Sequence, residues 1–189
     1  MPSNADYLAL LGFAGRPGIE TDELQRRYYD LSRRLHPDRF QTGSAEEQRA
    51  SVRASALLND AFRTLKDVES RGRWWLERAG DSLGRENNQV PPRLAAEVFE
   101  VQEKLAELRA ASGSEREALQ SETRGILEAL SSRLGDERAA VQSTLEEWPD
   151  ASAEEEPLGE ARSRLKQLLS EISYLRTLER DVRRALEES

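Results

Sequence analysis

Apolar residues return at every third or fourth position over most of the chain, and no stretch alternates apolar with polar in the manner of a strand. The pattern predicts helices. A short one covers residues 5–11, with Asn4 or Asp6 at its start and Gly12 ending it, and a turn follows in which Gly12, Gly15, Pro17 and Gly18 cluster. Thr21 or Asp22 is expected to cap a second helix reaching about residue 35. A third is expected from near Ser44, where Ser44 and Glu47 have capping-box spacing, to about residue 65, and a fourth over about 69–79. Residues 80–92 read as a linker ending in Pro91-Pro92. Three longer segments follow, at 93–111, about 114–147 (loosened at Gly125 and Gly135) and about 158–187, with an acidic connection over 149–157. The predicted fold class is all-α. Its expected parts are an N-terminal domain over 1–79, the linker 80–92, and a C-terminal three-helix bundle over 93–189.

On the second helix, at about 100° per residue, Leu24, Tyr28, Leu31 and Leu35 fall on one narrow stripe. Arg26, Arg27, Arg33 and Arg34 fall on another face, with Asp30 among them. Four arginines on a helix are ordinarily just its solvated side. The third helix carries an answering stripe of Ala54, Leu58, Ala61, Phe62 and Leu65, so the two are expected to form an antiparallel hairpin. In the fifth predicted helix, which starts at 93, the stripe is Leu94, Val98, Val101, Leu105 and Leu108. Phe99 stands off it with Ala95, Ala96, Glu100 and Glu103 nearby, as a docking patch would. Tyr174 similarly stands off the Leu168, Ile172, Leu175 stripe of the last helix.

Composition narrows the chemistry. Hydrophobic residues make up 37% and charged residues 34% of 189, a polar mix that suits slender helical bundles. The net charge of −8 is uneven, with 13 basic against 12 acidic residues over 1–79 and 15 against 24 over 80–189. That balance argues against nucleic acid as a partner. Without cysteine and with one histidine, the chain offers no thiol nucleophile, disulfide or multi-histidine metal site, and no cofactor or catalytic residue is expected. No signal peptide or membrane span is evident, so a cytoplasmic, monomeric, non-enzymatic protein is expected.

The loop closing the hairpin opens Leu35-His36-Pro37-Asp38-Arg39-Phe40. Pro37 drives His36 out of the helical region and stops the helix, and Asp38 is left in solvent. The tripeptide alone would be only a helix-stop turn. With Asp6-Tyr7-Leu8-Ala9-Leu10-Leu11-Gly12 before it and Leu58-Asn59-Asp60-Ala61-Phe62-Arg63-Thr64-Leu65 after it, in order and spacing, residues 5–68 resemble a J domain. The resemblance implies a co-chaperone that stimulates the ATPase of an HscA/DnaK-class chaperone. Its arginine face (Arg26, Arg27, Arg33, Arg34, with Arg39) would dock on the chaperone, and His36-Pro37-Asp38 would engage it beside the interdomain linker.

There is no Gly/Phe-rich segment and no zinc module, as a general J protein would have. Tyr29 through Phe40, then Thr42-Gly43-Ser44, and the run Arg71-Gly72-Arg73-Trp74-Trp75-Leu76 into helices, are similar to HscB, the J-protein co-chaperone of iron–sulfur cluster assembly. That likeness implies delivery of the scaffold protein IscU, through Ala95, Ala96, Phe99, Glu100, Glu103 and Tyr174. The family usually has bulkier apolar residues where Ala95 and Ala96 stand, and a longer connection than usual is expected at 149–157. Lacking the cysteine-bearing extension of eukaryotic members, the chain fits a bacterial one. The alternatives are a J protein with an unrelated client, or a structural helical interaction protein, which Pro91-Pro92 and Pro149 argue against by breaking any long heptad run. Trp74 and Trp75 are expected to help fix the N-terminal domain against the bundle.

Overall fold

The computed structural model describes residues 6–84, 90–150 and 153–188. Its helices are α1 (Tyr7–Leu10), α2 (Thr21–Leu35), α3 (Ala45–Lys66), α4 (Val68–Arg78), α5 (Ala95–Ala110), α6 (Gly113–Glu146) and α7 (Glu155–Glu188), and no strand occurs among the described residues. The all-α class is as expected. Residues 85–89 of the expected linker, and Asn4 and Ala5 at the first helix start, lie outside the described residues.

Local chemistry sets the helix ends. The Asp6 side chain accepts the Ala9 N–H at 3.1 Å, and Asp67 accepts that of Ser70 at 2.8 Å. Ser44 and Glu47 do form the capping box: Glu47 N–H donates to Ser44 Oγ at 3.3 Å and Ser44 N–H to Glu47 Oε2 at 2.7 Å. For α2 the expectation fails. Glu20 is the N-cap, without a side-chain capping bond, and Thr21 is already helical. Two further differences concern Gly and Pro. Helix α6 runs unbroken through Gly125 and Gly135, and α7 begins before Pro157. Proline lacks an N–H, but in the first turn that donor would have had no helical acceptor anyway. Gly12, at φ +73°, ends the α1 turn in the left-handed region that L side chains avoid.

The chain forms two compact units, Met1–Ser82 with Gln142–Ser163, and Leu83–Val141 with Arg164–Ser189. The ends of α6 and α7 thus pack with the N-terminal helices, where the sequence had suggested a single C-terminal piece from 93 onward.

In the first unit, α2 and α3 are antiparallel: Tyr28 bonds Asn59 (2.9 Å) and stacks on Phe62 (centroids 4.0 Å apart), while Leu35 lies beside Ser51 and Ser55. Leu8, Leu11, Ile19, Leu24, Leu58, Ala61 and Leu65 are its buried core, with Tyr28, Leu31, Leu35 and Phe62 packed against them. Trp74 and Trp75 are half-buried. Trp74 stacks on Tyr7 at 5.3 Å, and Trp75 meets Trp148 edge-on at 5.8 Å. Gly18 lies so close to α6 that an added Cβ would stand 2.7 Å from Glu146 Cα. Arg71, 2% exposed, donates to the Leu65 carbonyl at 3.2 Å and to Gln142 Oε1.

In the second unit, Leu94, Val101, Leu105 and Leu108 are buried, as are Leu165, Leu169, Ile172 and Leu175, so most of both expected stripes is core. Val98 and Leu168 are half-buried. Lys104 joins Glu107 (2.9 Å) to Glu122 of α6 (3.0 Å), and Arg133 pairs with Glu97. Glu171, 3% exposed, accepts from Gln167 at 2.9 Å and faces Glu137 of α6. Burial, with Glu171 beside it, pushes the Glu137 carboxyl above the ordinary value, against Arg133 and Arg93.

Candidate functional site

Helix α2 stops where Pro37 forces His36 to φ −59°, ψ 131°, and residues Pro37–Phe40 form one 3-10 turn with proline at its start. His36 Nδ1 accepts the Asp38 backbone N–H at 3.3 Å and lies 3.4 Å from Asp38 Oδ2. Gln41 Nε2 donates to Asp38 Oδ1 at 3.3 Å, and Gln48 Nε2 ties the carbonyls of Gln41 and Gly43 at 3.1 and 3.0 Å. The His36 and Asp38 side chains are 55% and 73% exposed, so their polar edges face water.

The root of the loop is held from α3. The Leu35 carbonyl, orphaned at the end of α2, accepts Ser51 Oγ and Ser55 Oγ, each at 3.0 Å. Neither serine stood out in the sequence. The only signal was that each falls near the Ala54, Leu58 stripe, where a hydroxyl needs a partner if it is to be buried.

The four arginines of α2 do not share one condition. Arg26 is exposed and pairs with Glu23; Arg33 is exposed, pairs with Asp30 at 2.8 Å and donates to the Tyr29 carbonyl at 3.3 Å. Arg34 and Arg39 are exposed, with no ion pair among the described residues. Arg27 differs. It donates to the Leu11 carbonyl at 3.2 Å, to the Gly12 carbonyl and to Glu23 at 2.6 Å, and its guanidinium lies 4.3 Å over the Phe13 ring. These bonds tie α2 to the turn after α1, where Gly12 leaves room: a Cβ there would sit 3.1 Å from Arg27 Nη1. Arg27's hydrogen bond, with the charge of Arg26 and Arg27, holds the Glu23 carboxyl below its ordinary value.

In the second unit, Phe99 is 69% exposed, and Ala95, Ala96, Glu100 and Glu103 are exposed on the same helix. Tyr174 is half-buried on α7. No ring contact joins Phe99 to Tyr174 among the described residues. No group of three or more potential metal ligands, and no helix long and apolar enough to cross a membrane, occurs among them either.

No sequence-family model matches the chain. Among solved structures, chaperone HscB from Vibrio cholerae aligns over 97% of this chain and 99% of its own, with a TM-score of 0.62 and 21% identity, a likeness of fold. Human co-chaperone protein HscB aligns over 95% of this chain and 81% of its own, with a TM-score of 0.64 and 28% identity. Over nearly its whole length the chain is similar in structure to HscB. The HscB-type architecture, an N-terminal J domain followed by a helical bundle, accounts for the hairpin, for its His36-Pro37-Asp38 turn and for the long helices after it. Both HscB neighbours are chaperones or co-chaperones by name.

Proposed function

We propose that this protein stimulates the ATPase of an HscA/DnaK-class chaperone and delivers the iron–sulfur scaffold protein IscU to it, assisting cluster transfer and maturation of iron–sulfur proteins. The observation that carries the reading is the exposed His36-Pro37-Asp38 turn, anchored at its root by Ser51 and Ser55 and flanked by exposed Arg26, Arg33, Arg34 and Arg39. An acidic face on the partner would be drawn to those cations from a distance and oriented by them. Asp38 supplies an exposed carboxylate for a cation on the chaperone. The chemistry belongs to the partner, and this chain is not an enzyme.

Phe99 supports the client half of the reading. A large aromatic left 69% exposed on a helix whose opposite stripe is occupied buries little against the described residues. With Ala95 and Ala96 lowering the surface around it and Glu100 and Glu103 adding charge, it suits a partner with an apolar recess and basic rim. Tyr174, half-buried, would contribute less. We place the protein in a bacterial cytoplasm, acting as a monomer.

The test is steady-state ATP turnover by the cognate chaperone. His36→Gln and Asp38→Asn should abolish stimulation with the thermal melt unchanged, because both side chains are exposed. Full stimulation by the folded variants would overturn the proposal.

A further inference from the structure

The first unit contains a recess of about 320 Å3 that the proposed co-chaperone contacts do not use. It lies among α4, the turn after α1, and the residues where α6 ends and α7 begins, all within Met1–Ser82 and Gln142–Ser163. Its walls are flat and apolar: Trp75 and Trp148, nearly perpendicular at 89°, with Leu158. Its polar lining is cationic, from Arg16, Arg78 and Arg162, and no carboxylate side chain lines it.

Each of these arginines has a carboxylate partner outside the lining: Asp150 for Arg16, Asp6 for Arg78 at 2.8 Å and Glu155 for Arg162 at 2.9 Å. A guanidinium has five N–H donors, and one carboxylate occupies about two of them. Donors are therefore left over on all three side chains, which are 62%, 40% and 29% exposed. In addition, Trp75 Nε1 and Arg162 Nε are buried with no acceptor among the described residues. Buried donors without partners are uncommon and costly.

From a recess with flat aromatic walls, surplus donors and no side-chain anion, we infer a binding site for a small aromatic carboxylate. The ring would lie against the two indoles, and the carboxylate would accept from the guanidinium edges of Arg16 and Arg162. A volume of about 320 Å3 is at the small end for ligand pockets and admits one or two fused rings. The site is separate from the His36 turn and from Phe99, so it stands or falls independently of the proposed co-chaperone contacts.

The probes are 2-naphthoate and its uncharged counterpart 2-naphthamide, titrated into the full-length protein while the three indole N–H resonances are followed by NMR. Naphthoate should shift the signals of Trp75 and Trp148 in a saturable way and leave that of Trp74, which does not line the recess, nearly still. Naphthamide should bind at least about tenfold more weakly. Arg16→Gln, at a side chain exposed enough to leave the fold intact, and Arg162→Gln, checked by a thermal melt, should each weaken naphthoate several-fold without changing naphthamide. The inference is overturned if naphthoate gives no saturable shift at millimolar concentration, if the amide binds as well as the acid, or if both folded variants bind naphthoate like the wild type.

Discussion

Arg71 offers the sharpest test of what holds the first unit together. Its guanidinium is 2% exposed and bonds the Leu65 carbonyl and Gln142, while Nε has no partner. Burial pulls its pKa down from the ordinary arginine value, and the negative charges of Glu146 and Asp67 oppose that only in part. Two bonds from a charged donor are worth about 1.5–3 kcal/mol each, but desolvating the cation returns much of that. Arg71→Ala should therefore cost about 3–4 kcal/mol: it opens a cavity and strands both acceptors. Gln142→Leu should cost about 1–2 kcal/mol, since it leaves Nη2 unpartnered. The double replacement Arg71→Met/Gln142→Leu removes the charge and its main partner together while keeping the volume, and should cost less than about 1.5 kcal/mol. All three tryptophans lie in this unit, so urea denaturation followed by tryptophan fluorescence isolates it, with circular dichroism reporting both units. If the double variant is as unstable as Arg71→Ala, the offset of bonding by desolvation is wrong. A loss under about 1 kcal/mol in Arg71→Ala would show that the residue holds nothing.

The unequal state of the α2 arginines predicts that Arg27→Ala lowers stability by about 1–2 kcal/mol, because it frees the Leu11 and Gly12 carbonyls, whereas Arg34→Ala leaves the melt unchanged and slows chaperone association. Stopped-flow binding beside a thermal melt separates the two, and equal effects on both would refute the distinction. Phe99→Ala should weaken IscU binding at least about tenfold by calorimetric titration without lowering the melting temperature; a destabilised bundle would mean that Phe99 packs internally. Glu137 has a raised pKa when folded, so its contribution is most favourable below its ordinary pKa and is lost as pH rises through the folded value. Glu137→Gln should thus raise the melting temperature at pH 7 by up to about 2 °C, with the gain fading below about pH 4, and an acid-side gain instead would reverse the sign of the argument.

What the sequence made legible was what periodicity and local caps control. The stripes of α2, α3 and α5 placed their buried residues, and Ser44 with Glu47 announced the start of α3, because those signals act within a turn or two. The exposed turn at His36 was equally plain, since Pro37 dictates it. Relations across sequence distance were not legible. Nothing near Arg27 said that it would reach back to Leu11 and Gly12, and nothing near Trp75 said that Trp148 would meet it. The acidic connection is shorter than the expected 149–157, because α7 starts at Glu155 and takes Pro157 into its first turn, where proline is tolerated. Tyr174 looked free from spacing alone, yet it is half covered, since a long helix in a bundle buries a wider arc than one stripe.

The membership of Gln142–Ser163 in the first unit also has a bearing on the order of events during synthesis. The bond from Arg71 to Gln142 closes a separation of 71 residues, and that from Arg16 to Asp150 one of 134. Until the ribosome has released those later residues, α1 to α4 can assemble their own leucine core but leave the Arg71 guanidinium and the Trp75 ring without their cover. Long-range closure of this kind is slow compared with hairpin formation. A nascent chain of this protein therefore passes through an interval in which the His36 turn is already formed while the surface behind it is still unfinished, so the protein is exposed to chaperone capture as a client before it is complete as a co-chaperone.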